Sequence, residues 1–224
     1  MINIFFAILP AIIFFLLSYY FDKDFIKERW KVLILVFIIG AIGSYICYRF
    51  EMHFGSYFKR VKDSTYLEVL FYAIFGVAIF EEGYKWLITF ITTYLDKKIR
   101  PLSIITYAVF ASNGFALFEN IVFFALKYKS SMISRMFTAF PSHICNAIWM
   151  GYFLILYKNN KGLKRYIFLL LSVIIPIIIH GLYNSFLYGK NPLLMNYHIY
   201  YYLSLVIITI VLFIRTRKNA IMSK

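Results

Sequence analysis

Apolar residues fill this chain in seven long stretches, separated by short segments rich in Lys and Arg: Ile2–Tyr20, Val32–Tyr48, Tyr66–Tyr94, Leu102–Leu126, Met136–Tyr157, Tyr166–Tyr188 and His198–Ile214. Each is close to the roughly 20 residues that an α-helix needs to cross a bilayer. The pattern predicts an all-α fold, a polytopic membrane helical bundle in which residues 1–224 form a single integral membrane domain. The third stretch is long and is interrupted by the polar patch Glu81–Lys85. It predicts either one tilted helix or two shorter segments, hence seven spans or eight. The first stretch has no basic residue ahead of it and no small-residue cleavage site behind it, so it is expected to be a retained span and not a signal peptide. Tyr19, Tyr20, Tyr48, Tyr94, Tyr157 and Tyr188 stand at the ends of the stretches, where interfacial aromatic belts form.

Composition narrows the class further. A chain of 224 residues that is 62% hydrophobic and 15% charged, with a mean hydropathy of +0.74, does not make a soluble domain. The net charge of +14 would suit a nucleic-acid partner, but the cations are scattered over short loops, so no nucleic acid is expected and the bilayer is the environment. With seven spans and the N terminus outside, the inner segments hold 15 cations: Lys23, Lys27, Arg29, Lys31, Lys97, Lys98, Arg100, Lys158, Lys161, Lys164, Arg165, Arg215, Arg217, Lys218 and Lys224. The outer segments hold eight: Arg49, Lys59, Arg60, Lys62, Lys127, Lys129, Arg135 and Lys190. That bias predicts the N terminus outside and the C terminus in the cytoplasm, although an eighth span would undo the parity. Cys47 and Cys145 lie in separate apolar stretches without CxxC or Cys/His spacing, and are expected to be packing residues.

Seven polar residues fall where lipid should be: Glu81, Glu82, Lys85, Glu119, His143, His180 and Asn184. A charge at the bilayer centre costs roughly 2.5–3.5 kcal/mol even on lenient scales, so each must face the protein interior and find a partner. At a rise of about 1.5 Å per residue, Glu81 lies roughly 20 Å below the outer end of the third span and Glu119 roughly 25 Å along the outward-running fourth. His143 and His180 lie roughly 10 Å and 20 Å along the fifth and sixth. Four spans thus predict a shared site between the midplane and the outer face. Spans one, two and seven carry no acidic residue, Lys, Arg or His in their apolar cores and are expected to be scaffold.

Spacing within each helix predicts which groups meet. Glu81 and Lys85 are four apart on one face, His180 and Asn184 likewise, and His143 and Asn146 are three apart. Phe115 lies one turn before Glu119, and Asn113-Gly114-Phe115-Ala116 offers small residues for close helix contact. Asn113 and Asn120 are expected to bond between helices. Glu82 is as well suited to neutralising Lys85 as to catalysis, so the base role stays open between Glu81 and Glu82. A dry cavity of carboxylates and imidazoles suits hydrolysis, in which a carboxylate takes a proton from water and returns it to a leaving amine, while imidazole and carboxamide groups donate to an oxyanion. Two imidazoles and a carboxylate (Glu119, His143 and His180) are also the ligand set of a catalytic divalent metal such as zinc, although no HExxH pair is present. Glu/His chains across helices equally build the relay of a proton-coupled transporter, but no inverted repeat is visible and the polar groups stop short of the inner face.

The motifs resemble one family. Glu81-Glu82-Gly83-Tyr84-Lys85 is similar to the EExxK motif of the PrsW intramembrane proteases, and Gly114-Phe115-Ala116-Leu117-Phe118-Glu119-Asn120 to their GFAxxEN segment. Arg135 with Pro141-Ser142-His143, and His180-Gly181-Leu182-Tyr183-Asn184, resemble the third and fourth motifs, so the likeness spans a catalytic core of approximately residues 66–189. The CAAX-prenyl proteases are more distantly similar; their histidine stands where this chain has Glu119. The loop Lys98-Ile99-Arg100-Pro101 departs from an expected Asp-Gly-type sequence. The resemblance implies a protease of the bacterial plasma membrane that makes the first, site-1 cut in a single-span anti-sigma factor on the outer side, in an envelope-stress response. It implies catalytic roles for Glu81, Glu82, Glu119, His143, His180 and Asn184, with Lys85, Phe115, Arg135 and Asn146 in support. It does not decide between glutamate-activated and metal-activated water.

Overall fold

Backbone in lipid has no partner but itself, which leaves an apolar chain the helix or the closed barrel. The described residues of the computed structural model, 2–55, 65–97, 99–125, 132–188 and 192–222, are helical with short connections, and no strand occurs among them. Lys59, Arg60, Lys62, Lys98, Lys127, Lys129, Lys190 and Lys224, which entered the charge count, lie outside the described residues.

Helix α1 (Ile2–Gly55) is two arms in one element. Its path breaks at Asp22 (φ −139°, ψ 42°) and at Arg29 (φ −116°, ψ 15°), and contacts along α4 (Pro101–Ala125) show that the chain turns back there. The first arm descends α4: the carbonyls of Ala7 and Ala11 accept from Asn120 and Asn113, and the Asp22 carboxylate accepts from Thr106. The second arm climbs it again, with Gly40 on the Ala111 carbonyl, Gly114 on the Phe37 carbonyl and Tyr45 against Phe118. A Cβ at either glycine would collide with backbone, so these two positions set how closely the arms approach α4.

The third apolar stretch is one continuous helical path. Thr65 and Glu68 form a reciprocal capping box at the start of α2 (Tyr66–Phe71), a π-helical turn covers Tyr72–Ala78, and α3 (Ile79–Leu95) follows. The wide turn is packed by small residues: the Tyr72 ring lies over Gly76, and Gly181 admits Ile74. No break occurs at Glu81–Lys85, which lie inside α3. Helix α5 (Met132–Phe137) joins α6 (Ala139–Asn159) through Thr138; α7 (Gly162–Tyr188) begins at a positive-φ Gly162, and α8 (Pro192–Met222) ends the described chain.

Five stretches among the described residues are long and apolar enough to cross a membrane: Ile4–His53, Pro101–Val122, Met132–Asn159, Gly162–Tyr188 and Asn196–Asn219. The expected number was seven or eight, and the difference has two physical causes. Ile4–His53 is a single stretch of 50 residues that the turn at Asp22–Arg29 folds double. The α2–α3 path, which carries Glu68, Glu81, Glu82 and Lys85, is too charged to count among the five by composition.

Helix α4 is the axis of the bundle. Of the residues in its most apolar part 78% are buried, against 17% for Ile4–His53 and for Asn196–Asn219. The main core joins α1, α4 and α6 through Leu33, Val36, Tyr107, Ala108, Phe140 and Met150. Large apolar side chains such as Leu16, Leu35, Leu170, Ile207 and Ile210 cover the outside, as lipid requires. Cys47 and Cys145 are both buried and free, in keeping with packing roles.

Candidate active site

The polar residues of four helices meet beneath one cavity. On α3, Glu82 and Lys85 are completely buried, and the Lys85 ammonium donates to Glu82 Oε1 at 2.6 Å while standing 3.8 Å from Glu81 Oε2. The Lys85 head also lies 4.4 Å from the centre of the Phe115 ring of α4, a cation–π contact in a dry setting. Spacing left Lys85 either glutamate as a partner; the neighbour three residues back takes the closer position.

From α6, His143 Nδ1 lies 3.1 Å from the same ammonium. An ammonium has only protons to give, so Nδ1 must accept and Nε2 must carry the hydrogen. That hydrogen is donated to Glu119 Oε2 at 2.8 Å. The other Glu119 oxygen accepts from Arg135 Nη2 of α5 at 2.8 Å, and Arg135 Nε is bonded to Asn120 at 2.9 Å. On α7, His180 Nδ1 donates to Glu82 Oε1 at 2.7 Å, and Asn146 adds a third donor to that oxygen at 3.3 Å. One chain of hydrogen bonds therefore runs from Arg135 through Glu119, His143, Lys85 and Glu82 to His180, crossing five helices.

The chain ends in groups that the protein does not satisfy. Glu81 Oε2 and Glu82 Oε2 are buried without a hydrogen-bond partner. His180 Nε2, the nitrogen left without a proton in the neutral ring, is 3.9 Å from Glu81 Oε2, too far for a hydrogen bond. Orphaned buried acceptors are costly and rare, and they point to something that the site is built to receive. The cavity above them has a volume of about 310 Å³ and is walled by Glu81, Glu119, Arg135, His143, His180 and Asn184 among others.

Of the sequence candidates, Glu81, Glu119, His143, His180, Asn184, Phe115 and Arg135 line this cavity, while Glu82, Lys85 and Asn146 form the layer beneath it. One wall residue was missed. Glu51, on the second arm of α1, reaches the cavity and shares its wall with Glu81. The signal was present: Ser44, Tyr48 and Glu51 share one face of a helix, and all three line the cavity. The arm expected to be scaffold thus contributes an acid, because α1 continues past Tyr48 to Gly55.

For a divalent metal, the ligand atoms that gather within 4.8 Å of one another belong to Glu81, Glu82, His143 and His180. Glu119, His143 and His180 were the expected set. The two imidazoles do adjoin, with ring centres 5.3 Å apart, but Glu119 reaches only the His143 ring. The donors with lone pairs to spare are Glu81 Oε2, Glu82 Oε2 and His180 Nε2, and this carboxylate–imidazole mixture fits a zinc-like ion. For His143 to join them, Lys85 would have to give up its bond to Nδ1.

Known proteins with similar sequences agree with this chemistry. The model of the PrsW family intramembrane metalloproteases matches residues 28–214. The chain is 32% identical over 184 residues to Protease PrsW of Oceanobacillus iheyensis, covering 82% of this chain and 81% of that protein. It is 32% identical over 194 residues to Protease PrsW of Clostridioides difficile, covering 81% and 77%, and 26% identical over 181 residues to Protease PrsW of Bacillus subtilis, covering 77% of each. No solved structure matches the chain significantly.

Proposed function

Because the chain belongs to the PrsW family of intramembrane metalloproteases, and is thus a multi-pass, membrane-embedded peptide hydrolase, we propose that it makes the site-1 cut in a single-span anti-sigma factor. The cut falls on the outer side of the bacterial plasma membrane and opens an envelope-stress response. The observation that carries the chemistry is the pair of orphaned carboxylate oxygens, Glu81 Oε2 in the cavity wall and Glu82 Oε2 in the layer beneath it, close to His180 Nε2. A transporter reading is not favoured, since the relatives are proteases.

In this reading residues 1–224 form one membrane domain with a catalytic core of approximately 66–189. The doubled α1 and the charged α2–α3 path each count as membrane crossings in their own right, which gives seven spans, with the N terminus outside and the C terminus in the cytoplasm. Glu81 is the general base: its free oxygen faces the cavity, where it takes the proton of the attacking water and later returns it to the leaving amine. Glu82 is held by Lys85, His180 and Asn146, and so fixes the imidazole of His180 with Nε2 toward the cavity. Arg135 and Glu119 hold His143 in the opposite tautomer. Asn184, in the cavity wall one turn beyond His180, donates to the developing oxyanion. Glu82 Oε2 and His180 Nε2, joined by His143 once Lys85 releases its Nδ1, would hold a zinc ion and leave Glu81 free as the base; the ion would supply Lewis acidity toward the scissile carbonyl and water.

The test is reconstitution of the full chain in liposomes with a membrane-anchored anti-sigma factor, with and without chelator. A membrane-proximal fragment is expected from the wild type; its loss in chelator and return with zinc supports the metal. An intact anti-sigma factor under all conditions would overturn the substrate. Cleavage indifferent to chelator would leave Glu81 working without a metal.

A further inference from the structure

A second polar pocket lies at the other end of the bundle, about 18 Å along α3 from Glu81. It has a volume of about 220 Å³ and is lined by Phe90, Thr93, Tyr94, Asp96 and Lys97 of α3 and its end, Tyr157 and Lys158 of α6, and Arg165 of α7. Lysines at the ends of helices are ordinary, because they complement the C-terminal dipole. Two observations go beyond that. The acid among the lining residues, Asp96, is engaged elsewhere: it accepts from Arg29 Nε and Nη2 at 3.2 and 3.3 Å and from the Tyr107 hydroxyl at 3.1 Å. Lys97, Lys158 and Arg165 therefore face the pocket with an excess of positive charge. The second observation is Thr93. Its neighbours Thr89 and Thr92 bond their hydroxyls to the helix's own carbonyls at Lys85 and Ile88, but the Thr93 hydroxyl is buried without a partner. Thr93 is only 7% exposed, and it lines the pocket.

We propose that this pocket binds the phosphate of an anionic phospholipid. A phosphodiester supplies acceptors for the Thr93 hydroxyl, the two ammonium groups and the guanidinium together. Arg165 is already oriented, donating to the Tyr157 hydroxyl at 2.9 Å with its guanidinium 4.6 Å from that ring centre, which leaves further N–H groups for the anion. A lipid suits the place better than free phosphate does. Tyr94 and Tyr157 give the pocket the aromatic wall of a membrane interface, and the helices leaving it expose Ile91 and Leu95 on α3 and Ile167 and Leu170 on α7, where acyl chains can lie. Basic pockets between membrane helices are well suited to anionic headgroups. The site is independent of the protease chemistry, since none of its residues touches the cavity around Glu81.

Thermal unfolding of the full-length protein in detergent tests this, with dioleoyl phosphatidylglycerol, dioleoyl phosphatidylcholine or inorganic phosphate added. Phosphatidylglycerol is expected to raise Tm in a saturable way, phosphatidylcholine and phosphate much less. The Lys158→Gln/Arg165→Gln variant, altered only at exposed positions, should lose that excess. Thr93→Val should weaken the apparent affinity roughly tenfold, the worth of a hydrogen bond to a charged acceptor. Native mass spectrometry counts the retained lipid directly, should a variant's Tm move for other reasons. Equal stabilisation by phosphatidylcholine, an unchanged response in both variants, or saturation by inorganic phosphate alone would each overturn the assignment to an anionic lipid.

Discussion

Two ionic networks hold this bundle, one at each end, and they differ in how they are closed. At the turn of α1, Asp22 accepts from Arg100 at 3.0 Å and from Thr106 at 2.8 Å, and Asp96 accepts from Arg29 and Tyr107. Two acids face two guanidinium groups, and all four carboxylate oxygens are used. Asp22 and Arg29 are also the two residues where α1 leaves helical geometry, so this network pins the turn to the connection between α3 and α4. Around the cavity the count is different. Among the described residues, Glu51, Glu81, Glu82 and Glu119 face only Lys85 and Arg135 as permanent cations, and three buried carboxylate oxygens, Glu51 Oε1, Glu81 Oε2 and Glu82 Oε2, have no partner. That excess has to be met by protons or by a divalent ion. A balanced and saturated network is a clasp; an unbalanced one with orphaned oxygens is built to react.

The largest test of that contrast is Glu81→Gln, which keeps the shape of the side chain and removes the base. Cleavage is expected to fall roughly 10³-fold, within the range for a lost general base, while Tm stays near that of the wild type. A variant that unfolds would place Glu81 in the clasp category. Lys85→Met is next and acts on the fold. It leaves Glu82 buried and without its cation, which costs about 3–5 kcal/mol for a broken buried pair. Adding Glu82→Gln should recover much of that stability without restoring cleavage, and chemical denaturation of the two variants measures the difference.

The elements were legible in the sequence, and the partnerships were only partly so. Leu102–Leu126 and Tyr166–Tyr188 anticipate α4 and α7 to within a few residues, because spans of this length cannot be anything but helix. Gly114 as a close-contact residue, and Asn113 and Asn120 as bonds between helices, follow from the same logic. Helical spacing cannot choose between partners three and four residues away, so both Glu81 and Glu82 were open as partners of Lys85; the ammonium sits between them, closer to Glu82. No basic residue lies within a turn of Glu119 in the sequence, yet Arg135 reaches it from α5, a contact that only the tertiary fold supplies. The loop Lys98-Ile99-Arg100-Pro101 had no role in the sequence; Arg100 belongs to the clasp. Glu51 was passed over because Arg49, Glu51 and His53 read as a loop after Tyr48, where the chain in fact continues as helix and keeps Glu51 on the face of Ser44 and Tyr48.

Glu51 sharpens the comparison, since it is the acid that tips the cavity out of balance. Glu51→Gln keeps the shape of the side chain in the cavity wall and removes one potential negative charge. Zinc affinity, measured by competition with a chromophoric chelator, is expected to fall roughly tenfold, at the lower end of what groups supporting a metal ligand contribute, with folding intact. Unchanged affinity would make Glu51 a wall residue only.

The smallest effect is expected from the clasp. In Asp22→Asn the carbonyl oxygen can still accept from Thr106, and Arg100 is 37% exposed, so water screens much of the lost attraction. The expected cost is about 1 kcal/mol of stability, read as a small shift in the denaturation midpoint, with the cleavage rate of the folded protein unchanged. The value of this variant lies in its position: Asp22 carries a carboxyl group as Glu81 does and is nearly as buried, at 7% exposure against 6%. If Asp22→Asn silenced cleavage while the protein stayed folded, burial and charge alone would mark the functional residues, and the balance of partners would carry no information. If only Glu81→Gln does so, it is the missing partner, and not the buried acid, that identifies the reactive end of the molecule.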